Sequence, residues 1–299
     1  MANYKNVAVA GKGLLGSAVV LALSNAGFNV TVLGRSESSE SLPDGVKRVV
    51  VDYNSADSLE AAFRGQDVVV STVSGAGIFV QKSMIDAAIK AGVKRFIPAD
   101  YSSSSTDPAA ETLPHYVPMV DVQNYLKSKS EAGLIEYTVF VVGAFTEYLV
   151  RFGFVIDWAK KTAEAWKGGD VIPISTTSVA GVGKAISGAL KNADATKNRN
   201  IYVHEFVVTQ KYLFGLAEKH GAPKSQWTLT DIDDVDTEFE RRKALATAAP
   251  EFPNIIALLR AQMFAGKIKV HFDRVDNDLV GLRQLSEAEF DANIAKDFA

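Results

Sequence analysis

The sequence contains no cysteine. Disulfides, thiolate metal sites and cysteine nucleophiles are therefore excluded. Histidine is scarce: His115, His204, His220 and His271 are all there are, and no two stand at metal-ligand spacing. No metal is expected. Charge of either sign is never concentrated. The net value is −3 and there is no long basic run, which argues against a nucleic-acid surface. No apolar stretch approaches the ~20 residues that a membrane helix needs, so no membrane association is expected. The segment Met1 to Lys5 runs straight into an apolar run and leaves no room for a signal peptide. What is present is ordinary: 47% hydrophobic and 22% charged residues over 299 positions. That suits a globular, cytoplasmic protein of one large domain or two unequal lobes.

The stretch from Val7 to Gly16 organises the chain. Val7 to Ala10 is a short apolar run that reads as a buried strand. Gly11, Gly13 and Gly16 follow at G-x-G-x-x-G spacing, with Lys12, Leu14 and Leu15 between them. Leu15, Val19, Val20 and Leu23 then recur at helical spacing, so a helix starts at about Leu14. Strand, glycine turn and helix in this order are the context in which the motif binds a dinucleotide. Gly11 makes the tight turn, Gly13 lets backbone approach the pyrophosphate, and Gly16 lets helix and strand pack closely. The unpaired N–H groups of the first helical turn favour the phosphate charge.

Further strands are expected at Asn29–Leu33, Val46–Val51, Asp67–Val73, Arg95–Pro98 and Tyr137–Val142, with helices between them at Ser55–Phe63, Val80–Ala91 and Val120–Ser130. This alternation predicts an α/β fold, a Rossmann-type doubly wound parallel sheet. A nucleotide-binding domain is expected over 1–145. A smaller, interleaved C-terminal α/β substrate lobe is expected over 146–299. In that lobe Thr146–Lys167 reads as one long helix, Val171–Ile174 and Lys267–Phe272 as strands, and Ser286–Phe298 as a terminal helix. Phe152, Phe154, Trp158, Trp166, Met263 and Phe264 are available either as pocket wall or as plain core. Tyr101 to Pro118 is a Ser- and Pro-rich loop long enough to suggest function.

Sites for NAD carry an acid at the end of the second strand, and sites for NADP carry a cation there. Here Gly34-Arg35-Ser36 has no acid. Arg35 offers a fork matched to phosphate oxygens and Ser36 a hydroxyl donor. Lys12 stands to add a positive charge on the same side. NADP(H) is therefore the expected cofactor; the alternative for Arg35 is a solvated surface position. Asp52 reads either as a contact to the adenine edge or as a turn cap. Thr72, Val73 and Ser74 are expected under the pyrophosphate or ribose.

Several stretches together resemble the isoflavone-reductase-like and NmrA-like branch of the atypical short-chain dehydrogenases. They are the glycine turn, Gly34-Arg35-Ser36, Gln81 with Met84 to Ala88, the run Gly92-Val-Lys-Arg-Phe-Ile-Pro98, Tyr137-Thr138 leading to Gly143-Ala-Phe145, and Asn277 to Leu282. The run ending at Pro98 is the most specific of them. The resemblance implies an NADP-binding fold with a small substrate lobe. Members are NADPH-dependent reductases of small, often aromatic molecules, or nucleotide-sensing regulators that act through a protein partner. It also implies that Gln81, Ala99, Tyr101 and Phe145 line the nicotinamide end.

One position departs from the family. The lysine that its reductases carry after the long loop corresponds to Met119, which cannot donate a proton. Tyr125 and Lys129 form a Y-x-x-x-K with Ser102 to Ser105 upstream, as in ordinary short-chain dehydrogenases, where the lysine tunes the tyrosine. The alternative is a packed Tyr125 and a solvated Lys129. Tyr101, His115 and Tyr116 are further proton-donor candidates; the alternative for His115 is an exposed loop histidine. The leading expectation is an oxidoreductase, an NADPH-dependent reductase of a small, largely apolar molecule, aromatic ones included. The rival is an NADP(H) sensor without turnover.

Overall fold

The computed structural model describes residues 4–37, 41–150, 154, 156–157, 160–221 and 223–296. The first part of the chain runs β1 (Asn6–Ala10), α1 (Leu14–Asn25), β2 (Asn29–Gly34), β3 (Lys47–Val50), α2 (Ala56–Phe63), β4 (Val68–Ser71), α3 (Gln81–Lys90), β5 (Arg95–Ile97), α4 (Val117–Glu131) and β6 (Glu136–Val141). There follow β7 (Ala144–Phe145), α5 (Thr146–Val150), β8 (Ile156–Asp157), β9 (Thr162–Trp166), β10 (Ile174–Thr177), α6 (Val179–Lys191), α7 (Ala193–Thr196), β11 (Arg199–Tyr202) and β12 (Phe206–Val208). The last elements are α8 (Gln210–His220), β13 (Thr228–Ile232), α9 (Val235–Ala248), α10 (Phe252–Phe264), α11 (Asn277–Val280) and α12 (Glu287–Ala295).

The central sheet has the order β11-β6-β5-β4-β1-β2-β3, and every pairing in it is parallel. Its middle strands are continuous apolar runs because helices cover both faces. On one face Val19, Val20 and Leu23 of α1 pack with Val182, Ala185 and Ile186 of α6. On the other, Leu59, Phe63, Met84, Ile85 and Leu126 come from α2, α3 and α4. Residues 179–202 thus return from the second half to complete the first layer. Gly183 lets α6 approach closely, since a Cβ there would lie 2.8 Å from the Ala18 carbonyl oxygen. The strand order reverses between β1 and β4, and in such sheets ligands bind above the carboxyl ends at that reversal.

The remaining elements form two small sheets, β12-β10-β7 and β13-β9-β8. With α8, α9, α10 and α12 they enclose a second core that contains Trp166, Leu213, Phe239, Leu258, Met263, Phe264 and Phe290.

Three expectations for this half are corrected. Thr146–Lys167 is not one helix: α5 ends at Val150, and Thr162–Trp166 pairs with β8 and β13. Sheet pairing overrides the helix propensity of its alanines. The strand expected at Val171–Ile174 begins only at Ile174, because Pro173 has no N–H for the ladder. Lys267–Phe272 is not a strand; Ser175 of β10 holds it, its N–H donating to Val270 O at 3.0 Å and its Oγ accepting from Phe272 N at 3.1 Å. The terminal helix begins as expected, with Ser286 and Glu289 forming a reciprocal cap.

Candidate functional site: the crevice at the strand reversal

Gly11 leaves β1 with φ +98°, a conformation that disfavours a side chain. Its N–H donates to Leu33 O at 3.1 Å. From the end of β4, Thr72 N donates to Ala10 O at 2.8 Å and Thr72 Oγ1 to Gly11 O at 2.9 Å. Gly16 closes the turn: a Cβ there would lie 2.3 Å from Gly11 O and 2.7 Å from Thr72 Oγ1. At Gly13 a Cβ would meet nothing within 4 Å. Gly13 is also the N-cap of α1, and no side chain caps the first-turn N–H groups. The turn is thus filled where helix meets strand and open where Gly13, Leu14 and Leu15 begin the helix, which is the shape a pyrophosphate needs.

Beside the turn, Arg35 and Ser36 are exposed at the end of β2, and no partner holds the Arg35 guanidinium among the described residues. Lys12 leans toward the same loop, its Nζ 3.4 Å from Ser41 O. Asp52 serves as a turn cap, its Oδ1 accepting from Asn54 N at 2.9 Å. The residue after it, Tyr53, escaped the sequence reading. Its hydroxyl donates to Leu33 O at 3.0 Å. Burial pushes its pKa up to about 12, while the Gly11 backbone and the Arg35 charge pull the other way. Tyr53 therefore stands between the glycine turn and Arg35. The available signal was an aromatic residue three positions beyond the third strand's carboxyl end.

On the other side of the reversal Gln81, the first residue of α3, is completely buried. Its Oε1 accepts from Ala99 N at 2.7 Å, and its Nε2 has no partner. Val73 packs under Gly77, and Ser74 is exposed at the start of the turn leading to α3. Tyr101 adopts φ 45°, and its hydroxyl donates to Ser71 O at 3.0 Å, joining the ends of β4 and β5. Its neighbour Asp100 is buried and accepts from Gln123 Nε2 at 2.6 Å. Burial raises the Asp100 pKa against the opposing hydrogen bonds of Ser105, Ser102 and Gln123. Phe145 lies on β7, half-buried, its ring 5.7 Å from that of Tyr148. An orphaned buried amide and an open glycine cradle on either side of one crevice fit a bound dinucleotide.

A model of the NmrA-like family matches residues 3–249. The chain belongs to the NmrA-like family. It is 34% identical over 253 residues to the oxidoreductase aprR of Aspergillus flavus, covering 81% of this chain and 80% of that protein. Among solved structures, an isoflavone reductase superposes with TM-score 0.73 at 19% identity, over 98% of this chain and 99% of its own. The Citrobacter sp. triphenylmethane reductase complexed with NADP(H) gives 0.72 at 18%, over 97% and 99%. At such identities the structural likeness shows the fold.

Within this NmrA-like fold the proton-donor candidates are scattered. Tyr125 Oη donates to Asp86 Oδ1 at 2.6 Å, and Lys129 Nζ lies 4.7 Å from the Tyr125 ring centroid and 3.6 Å from Asp86. That group joins α4 to α3 and is not brought together with the glycine turn. The Tyr101 hydroxyl gives its one hydrogen to Ser71 O, and burial drives its pKa well above the ordinary value. Met119 packs against the second core, as do Trp166, Met263, Phe264 and Phe154. Of the aromatic residues offered for a pocket wall, Phe152 and Trp158 lie outside the described residues. His115 and Tyr116 meet in a polar cluster with Gln262, Ser103 and Ser104. The most family-specific run serves the fold: Arg95 is fully buried and donates to Glu136, Ala193 O and Thr196 at 2.7–3.1 Å, near the amino end of the sheet.

Proposed function

We propose that this chain is an NADPH-dependent reductase of a small, largely apolar molecule, aromatic ones included. The observation that carries the reading is the crevice between β1 and β4, with Gly13 facing open space on one side and the unpartnered Gln81 amide on the other. In this reading the first-turn N–H groups at Gly13, Leu14 and Leu15 hold the pyrophosphate. Arg35 and Ser36, with Lys12, take the 2′-phosphate. Thr72, Val73 and Ser74 support the ribose, and Gln81, Ala99, Tyr101 and Phe145 flank the nicotinamide. When bound, NADPH supplies the hydride chemistry. The chain's own residues orient the two reactants and exclude water. The printed names of the relatives, oxidoreductases and reductases, one of them complexed with NADP(H), support this reading.

Calorimetry with NADPH and NADH, followed by a screen of carbonyl and alkene compounds for NADPH oxidation, tests it. Tight NADPH binding with turnover of an apolar compound is expected. A preference for NADH, or no nucleotide binding, overturns it. A second reading is an NADP(H) sensor with a protein partner and no turnover. It is favoured by Met119, which stands where family reductases carry lysine and packs into the second core. Tight NADPH binding with no oxidation across the whole screen would select it.

A further inference from the structure

The stretch that follows β3 forms a bracket against the end of β2. Val51 N donates to Gly34 O at 2.9 Å, and two residues on the Tyr53 hydroxyl donates to Leu33 O at 3.0 Å. Between them Asp52 folds the chain into a tight turn. Its Oδ1 accepts from Asn54 N at 2.9 Å and its carbonyl oxygen from Ser55 N at 3.1 Å. Ser55 Oγ caps α2 by accepting from Ser58 N at 3.2 Å, and Ser58 Oγ accepts from Asp52 N at 3.0 Å. Tyr53 is thus mounted on the start of α2, and its ring packs against the core under α2 and α3.

The acceptor that Tyr53 holds is shared. Leu33 O also accepts from Gly11 N at 3.1 Å. One carbonyl therefore joins the turn that leaves β1, the end of β2 and the bracket after β3. Gly34 then carries the chain to Arg35, which is exposed. The Arg35 charge acts on the Tyr53 hydroxyl, opposing the rise that burial causes in its pKa. Guanidinium and phenol therefore stand within electrostatic reach of each other. An exposed arginine loses rotamer freedom when it closes on a ligand, and a backbone free to shift would lose more. With the carbonyls of Leu33 and Gly34 both held, only the Arg35 side chain is left to order. Packing alone would accept any large apolar residue at position 53; the hydroxyl is what reaches Leu33 O.

We propose that Tyr53 is a positioning residue for cofactor selection. Through Leu33 O it holds Arg35 at a fixed distance from the glycine turn, so that one nucleotide places its pyrophosphate at Gly13 and its 2′-phosphate on Arg35 together. The proposal rests on the NADP(H) reading above. Tyr53 touches neither phosphate; it acts through the backbone of Leu33 and Gly34. Its hydroxyl therefore matters to a nucleotide that carries the 2′-phosphate and little to one that lacks it.

The test is a double-mutant cycle read by calorimetry with NADPH and NADH. Tyr53→Phe keeps the ring and removes one hydrogen bond, and Leu33 O keeps its bond from Gly11 N. NADPH is expected to bind about three- to tenfold more weakly to Tyr53→Phe, and NADH to change by less than about twofold. Added to Arg35→Ala, Tyr53→Phe should have no further effect on NADPH, because the hydroxyl acts through Arg35. A merely structural role would lower both affinities alike and add to Arg35→Ala in full. Fluorine NMR of the wild type labelled with 3-fluorotyrosine does not depend on the variant's folding. The Tyr53 signal should move further with NADPH than with NADH, since only NADPH sets a charge against Arg35. Equal losses for the two cofactors, an unchanged NADPH affinity, additivity in the cycle, or an equal fluorine response overturns the proposal. If the wild type does not prefer NADPH, the NADP(H) reading fails and the proposal with it. If the wild type prefers NADPH and Tyr53→Phe keeps that preference, only the role of Tyr53 is lost.

Discussion

Thr72 Oγ1 donates to the carbonyl oxygen of Gly11 at 2.9 Å, tying the end of β4 to the turn that leaves β1. The same hydroxyl occupies the space that a side chain on Gly16 would need, 2.7 Å from its ideal Cβ. One hydroxyl therefore ties the two strand ends together at the reversal and stands where α1 comes closest to the sheet. It also separates two kinds of glycine in one motif.

Gly13→Val should fold normally and lose nucleotide binding. Its Cβ meets no protein atom within 4 Å, and the branched side chain then fills the space of the pyrophosphate. Gly16→Ala should do the reverse and destabilise the fold itself, because its methyl falls 2.3 Å from a backbone oxygen. Overpacking of this kind costs about 1–3 kcal/mol or more. Thermal melts and NADPH calorimetry on both variants separate the effects. Retained NADPH affinity in Gly13→Val would remove the phosphate role of the turn.

Arg35→Ala should weaken NADPH roughly 10- to 150-fold, the worth of a charge-assisted contact of about 1.5–3 kcal/mol. NADH should be nearly untouched, since it has no phosphate at that position. The wild-type preference should shrink as salt rises, because an exposed guanidinium is screened. Dissociation constants for both cofactors, in wild type and variant, decide the matter. Equal losses would assign Arg35 to the fold.

Arg95→Ala should cost roughly 2–5 kcal/mol in chemical denaturation, because deleting a fully buried long side chain leaves a cavity and unpaired acceptors at Ala193 and Thr196. Arg95 is completely buried between Tyr4, Glu136 and Thr196, while the Glu136 side chain is 32% exposed and keeps its hydrogen bond from Tyr4. NADPH affinity of the folded fraction should not change. A large loss of affinity at unchanged stability would contradict the structural role.

Acid should weaken the fold before the carboxylates titrate. His204 bridges Ser175 at 2.9 Å and Gln284 at 2.8 Å, and burial with the neighbouring His271 pushes its pKa from 6.5 down to about 4. His115 is lowered to a similar value by burial. Below pH 6.5 an unfolded histidine takes up a proton that the folded one refuses. This stability is complete above 6.5 and declines as the pH falls toward 4. The urea midpoint should therefore drop between neutrality and mildly acid pH, and His204→Gln should flatten the slope. A midpoint independent of pH in that interval would disprove the assignment.

Much of this molecule was written locally. The apolar runs Val7–Ala10 and Asp67–Val73, the glycine spacing at the start of α1, and the start of the terminal helix at Ser286 are signals contained within a few neighbouring residues. Periodicity and turn chemistry were enough to read them, and with them the parallel sheet and the crevice. Tertiary structure decided the rest. It split Thr146–Lys167 into a short helix and two strands, because Thr162–Trp166 found a partner in Thr228–Ile232. It brought Tyr53 beside Gly11, carried β11 back to β6, and set Gln262 of α10 against the His115 ring. Each of these depends on residues far apart in the chain. Hydrogen-bond partners across such separations leave no period in the sequence, so only the packed structure determines which donor meets which acceptor.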